Sequence, residues 1–276
     1  MLNDPHFKVL MYEPDSKKIF RNSDIKGGVA VTYRDKDKYF GAIGTFSAFP
    51  ELNSLLHKVI KISSFQSIEN LIITQNKWNL DKLYADYPVL KTKIGSAGRE
   101  KRLTTSIFNL TEVFHDEPCE GDVTIIGLIN NKRVKKYVNI KYLSEHDNLN
   151  KWKIILPKSN GSGAIGEVLS TPLVGTPLVG YTQSFIGIGK FDTRNEAEAM
   201  FKYIKTKFAR AMLGILKVTQ DNPRAVWRYI PLQNFKSDSD IDWSKTIREI
   251  DEQLYAKYKL DKNEIEFIET HVREMK

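Results

Sequence analysis

Ala197, Phe201, Ile204, Phe208, Met212 and Ile215 recur three or four residues apart. That spacing puts them on one face of a helix running from Thr193 or Asn195 to about Lys217. A helix with a single apolar face must cover another layer, and the flanking segments offer strands for it to cover. "FKVLMYE", "KKIF", "GGVAVTYRD" and "KYFGAIGTF" read as short strands near the N-terminus, and "HKVIKI" as another. "SIENLII" reads as a helix opened by Ser67. "DVTIIGLINNKRVKKYVNIKYL" has the pattern of a hairpin turning at Asn130-Asn131. Lys153–Leu156 and "YTQSFIGIGKF" complete a mixed α/β set. Between them stands a tandem copy, Thr171–Gly175 and Thr176–Gly180, both reading TPLVG. Pro172 and Pro177 make it an extended connection in this reading, not a central strand.

The last 39 residues carry two amphipathic patterns. One begins after Asp242, with Ile247, Ile250, Leu254 and Tyr258 inward. The other begins at Asp261, which forms a capping-box pattern with Glu264 and buries Ile265, Ile268, Val272 and Met275.

Charge narrows the class of partner. The chain has 276 residues and a net charge of +8, yet residues 238–276 hold 7 basic and 11 acidic groups. The first 237 residues therefore carry 35 basic and 23 acidic groups, a net of +12. A basic body suggests a polyanion, nucleic acid first. Candidate phosphate contacts are Arg99, Lys101 and Arg102, the run Lys132, Arg133, Lys135 and Lys136 after the hairpin turn, and Lys202, Lys205 and Arg210 on the polar side of the long helix.

Other chemistries fare worse. No apolar run approaches membrane-spanning length and the N-terminus lacks a signal-peptide layout, so a cytoplasmic protein is expected. Cys119 is the single cysteine and reads as an inert thiol; with no zinc spacing among five scattered histidines, no His/Cys metal site is expected. Gly161, Gly163 and Gly166 follow a strand at G-x-G-x-x-G spacing. No helix and no ribose-binding acid follow them, and no Lys-Ser/Thr pair either, so the dinucleotide and P-loop readings fail. Pro14-Asp15 with Asp24-Ile25-Lys26 imitates a Mg²⁺-dependent nuclease site, in which Asp15 and Asp24 would hold the ion and Lys26 assist water. The gap is short, and turn carboxylates beside a strand explain it as well. No G-x-S-x-G elbow is present.

Four blocks then carry a likeness. "DIKGGVAVTYRD", "LPKSNGSGAIGE", the stretch from Thr182 to Gln220 and the stretch from Ile230 to Glu269 resemble the C-terminal half of adenine-specific DNA methyltransferases. The group is that of bacterial type II restriction–modification systems with methylase and target-recognition regions on one chain. The resemblance implies terminal strands of a methyltransferase-type sheet over residues 1–48, a target-recognition DNA-binding domain over 49–236 and a helical tail over 237–276. It places Lys158, Asn160 and Ser162 in a loop that approaches double-stranded DNA. The catalytic N-P-P-Y or D-P-P-Y tetrapeptide and the cofactor motif are missing; the nearest string is Asn222-Pro223-Arg224-Ala225. No catalytic residue is therefore assigned here. S-adenosylmethionine is expected only in a complete enzyme, with a methyltransferase chain as a partner. The competing reading is the Mg²⁺-dependent endonuclease piece.

Overall fold

The computed structural model describes residues 1–13, 15–22, 28–95, 98–159, 161 and 164–275. In chain order, β1 (Phe7–Glu13) and β2 (Val29–Arg34) precede helix α1 (Pro50–Ile60). Next come β3 (Ile72–Ile73), α2 (Leu80–Asp86) and α3 (Leu90–Lys93). The hairpin of β4 (Asp122–Ile129) and β5 (Lys132–Asn139) leads to β6 (Trp152–Pro157), β7 (Leu173–Gly175), β8 (Val179–Tyr181) and β9 (Phe185–Phe191). Helices α4 (Arg194–Lys205), α5 (Lys207–Gly214), α6 (Ile247–Lys257) and α7 (Lys262–His271) follow. The class is mixed α/β, with three sheets among the described residues.

β1 and β2 form a two-stranded antiparallel ribbon of their own. The four-stranded sheet runs β3-β9-β6-β7, and the three-stranded sheet runs β5-β4-β8 with β4 and β8 parallel. Alternation along β6 shows how the layers stack, since successive side chains leave opposite faces of a strand. Ile154 and Leu156 enter a core roofed by α1, α4, α5, α6 and α7, whereas Ile155 meets Ile126, Tyr181 and Phe185 between the two sheets. On the far side of β4, Val123 and Ile125 pack with Trp78, Leu83, Leu103 and Phe108. The order is thus helices, sheet, sheet, and a last layer of short helices and loops.

One polar side chain crosses that interior. Lys153, fully buried on β6, has its Nζ 2.8–3.1 Å from the carbonyl oxygens of Asn148, Leu149, Lys151 and Thr176. Burial pushes the ammonium down to about 7, and the four carbonyls offset the desolvation that causes the shift.

Several elements follow the sequence reading. Asn130 and Asn131 both take positive φ, 50° and 60°, as a two-residue primed turn requires. The Asp261/Glu264 capping box opens α7, and a second one, Thr246/Glu249, opens α6 four residues beyond Asp242.

Others differ. "HKVIKI" ends helix α1, because Leu52, Leu55, Leu56 and Val59 set a helical stripe begun upstream at Pro50. "KKIF" forms a 3₁₀ turn at Ser16–Lys18, and "SIENLII" splits into a 3₁₀ turn, Ile68–Leu71, and β3. The long helix breaks at Thr206, which leaves the helical region (φ −59°, ψ 149°) and caps α5 through its hydroxyl. "KYFGAIGTF" holds no strand. The acidic tail is no appendage: Ile250, Leu254, Phe267 and Ile268 share the core of α1, α4 and α5, and Lys58 pairs with buried Glu264 at 2.5 Å. No helix among the described residues is long and apolar enough to cross a membrane.

Candidate nucleic-acid interface

Buried Leu103 fixes the first part of the site. Its N–H donates to Asn76 O at 3.2 Å and its carbonyl accepts from Gln183 N–H at 2.8 Å, which holds the segment against the second core. Arg102 N–H donates to Arg99 O at 2.9 Å, closing a turn that leaves Arg99, Lys101 and Arg102 exposed. A cleft of about 340 Å³ opens beside them, lined by Lys93, Arg99, Glu100, Arg102, Thr104 and Asn109. Lys93 is taken up by Glu112. Neither Arg99 nor Arg102 has a side-chain partner among the described residues, so both cations face water.

The glycine loop arrives at the same place from β6. Lys158 N–H donates to Ser184 O at 2.9 Å, and Ser184 Oγ lies 3.0 Å from Thr105 Oγ1. Gln183 Nε2 donates weakly to that same threonine oxygen at 3.4 Å. On its other side Lys158 O accepts Asn222 N–H at 2.7 Å. The Arg99–Arg102 turn, Gln183-Ser184 and exposed Lys158 therefore form one polar ridge across the ends of both sheets. Asn160 and Ser162 lie outside the described residues.

The second half of the loop is clamped. Gly166 has φ +70°, and a Cβ there would stand 2.3 Å from His271 O. Its carbonyl accepts Arg273 N–H at 3.1 Å and Arg210 Nη1–H at 3.3 Å.

The basic run after the hairpin turn does not act as one patch. Period-2 alternation sends Lys132 and Lys136 to one face of β5, and Arg133 and Lys135 to the other. Arg133 donates to Thr171 O and Oγ1 and lies 5.4 Å from the centre of the Phe185 ring; Lys136 pairs with Asp116 at 2.5 Å. Lys132 and Lys135 stay exposed.

The expected basic face of the long helix needs correction. Lys202 Nζ donates to the carbonyls of Trp243, Ser244 and Lys245, and Lys205 sits 4.7 Å over the Phe201 ring. Arg210 is 2% exposed and donates to Gly166, Glu167 and Arg273 carbonyls. Burial lowers its pKa to about 10, which still leaves it charged at neutral pH. The physical reason is that α6 and α7 cover this side of α4 and α5, so Lys202 and Arg210 are spent on carbonyl groups, while Lys205 stays half-buried over its ring.

The nuclease residues give little. Asp15 accepts Lys17 N–H and caps the 3₁₀ turn, while Pro14, Asp24 and Lys26 lie outside the described residues. The ridge holds no metal-ligand cluster; the one such group among the described residues, His115, Cys119 and Asp122, stands at the start of β4. The sequence reading missed Thr105, Gln183 and Ser184. Gln183 and Ser184 were signalled by a polar pair just before the apolar run of β9, and Thr105 by nothing local. No protein-family model, curated protein or solved structure matches the chain.

Proposed function

We propose that the chain binds duplex DNA as the target-recognition portion of a type II restriction–modification adenine-specific DNA methyltransferase. One observation carries the reading: two segments 56 residues apart in sequence, Arg102 and Lys158, meet through Thr105 and Ser184, with unpartnered cations on each side of the junction. Arg99, Arg102 and Lys158 supply phosphate contacts, which position a protein on DNA. Gln183 supplies an amide group that can read base edges, and Asn160 and Ser162, outside the described residues, are proposed to add an amide and a hydroxyl. The β1–β2 ribbon, with Leu10, Met11 and Val31 exposed, suits the end of a methyltransferase-type sheet completed by a methylase partner. That partner would bring S-adenosylmethionine chemistry, for which this chain shows no motif. The test is duplex binding by fluorescence anisotropy across a salt series. The expected result is affinity falling linearly on a log–log plot, with a slope of roughly −3 to −5 from three to five phosphate contacts. Absence of binding at low salt would overturn the reading.

A further inference from the structure

We propose that His115, Cys119 and Asp122 form a zinc-binding site at the base of the β4–β5 hairpin. Their imidazole nitrogen, thiol sulfur and carboxylate oxygen all lie within 4.8 Å of one another. Two pieces of hydrogen-bonded backbone hold them there. Asp122 N–H donates to Cys119 O at 3.1 Å across a tight turn whose Gly121 takes φ +81°. His115 is bridged to Tyr137 of β5 in both directions, N–H to O at 3.1 Å and O from N–H at 2.9 Å. Asp122 Oδ2 accepts Cys119 N–H at 2.9 Å and stands 2.9 Å from His115 Nε2.

The chemistry selects the ion. A thiolate with an imidazole favours zinc over magnesium or calcium, which prefer oxygen alone. Thiolate and carboxylate together balance a dication, and three protein ligands leave the fourth tetrahedral position to water. The surroundings favour a cation too: Glu117 and Glu120 lie in the same eight residues, while neighbouring Asp116 is taken up by Lys136. Ligand atoms on one tetrahedral zinc sit about 3.4–3.6 Å apart, from bonds of about 2.0–2.3 Å. To take the ion, His115 and Asp122 would open from their 2.9 Å contact and the exposed Cys119 side chain would rotate inward, with the buried Asp122 carboxylate, 3% exposed, as the floor. On binding, the thiol loses its proton to solvent and zinc replaces the proton shared between His115 and Asp122. The sequence pattern His-x₃-Cys-x₂-Asp hid the site because its third donor is a carboxylate and not a second Cys or His.

The experiment uses the full chain stripped with EDTA. Zinc is titrated against a chromophoric chelator, Co²⁺ binding is followed by its thiolate charge-transfer band, and alkylation of Cys119 is timed with and without zinc. The expected result is one zinc per chain, at least about tenfold protection of Cys119, and at least about tenfold weaker binding in Cys119→Ser and His115→Ala. Cys119 is exposed, so Cys119→Ser decides the matter even where His115→Ala fails to fold. No stoichiometric zinc, or equal affinity in Cys119→Ser, would leave only a hydrogen-bonded turn and overturn the site. Neither outcome depends on DNA binding.

Discussion

Arg273 donates its backbone N–H to the carbonyl oxygen of Gly166 at 3.1 Å, so the C-terminal end of the fold holds the glycine loop. Arg210 reinforces that oxygen from within the helix layer. Ser184 and Asn222 hold the other end of the loop through Lys158. A loop fixed at both ends loses less entropy on meeting a ligand.

Gly166→Ala is expected to cost about 2–4 kcal/mol, from a strained positive φ and the overlap with His271 and Val272 backbone. Gly161→Ala, at φ +66° and facing the Glu167 carboxylate rather than backbone, should cost about 1 kcal/mol. Urea unfolding of both variants is the check, and equal losses would show that the clamp on Gly166 is slack.

Arg102→Ala and Lys158→Ala should each weaken every duplex and reduce the salt slope by about 0.9. Arg210→Ala should instead cost about 2–4 kcal/mol of stability, because it empties a buried, hydrogen-bonded guanidinium site. In the protein that remains folded, its slope should match the wild type. Three equal changes in slope would place Arg210 on the DNA, against its burial.

Asp251 is buried, and its carboxylate accepts Lys207 and Phe208 N–H at 2.9 Å, capping α5. Desolvation raises its pKa from 3.8 to about 6, with nearby Glu269 adding to the rise and Arg210 opposing it. The folded state therefore keeps the proton longer than the unfolded chain, and the stability this contributes disappears as pH rises through about 6. Measured against non-titrating Asp251→Asn, wild-type stability should fall by on the order of 1–3 kcal/mol between pH of about 4 and about 7. A rise over the same window would reverse the assignment.

Lys153→Met should destabilise by about 1–3 kcal/mol, since four carbonyl groups lose a shared donor. Thermal unfolding checks it. A neutral or stabilising result would mean that apolar packing replaces the ammonium without loss.

Local signals account for much of what could be read without the structure. Asn130-Asn131 dictated a primed turn, and Asp261 with Glu264 a helix start, because each depends on chemistry within four residues. The Arg99–Arg102 segment and Lys158 were visible as basic loop residues, but their junction at Ser184 was not, since it forms between segments distant in sequence. Lys202 and Arg210 misled for the same reason: a polar helix face looks solvated until other helices are known to cover it.

The tandem repeat divides the two sources of information most sharply. Its sequence required extended, proline-interrupted chain in both copies. The first copy places Leu173–Gly175 on the edge of the four-stranded sheet and the second Val179–Tyr181 on the edge of the three-stranded one. Thr171 takes φ +40° in the first copy, whereas in the second the positive φ falls on Leu178, at +61°. Leu173, the equivalent of Leu178, lies in a strand. Identical pentapeptides carry identical local preferences, so the difference comes from what each copy meets. Gly175 packs against Ile155 and Gly180 against Asn76 and Ile125, in different layers of the fold. The sequence alone determined that this segment is extended and narrow at its glycines. Which sheet each copy joins, and where its backbone bears the strain, was decided by long-range packing that the five residues do not contain.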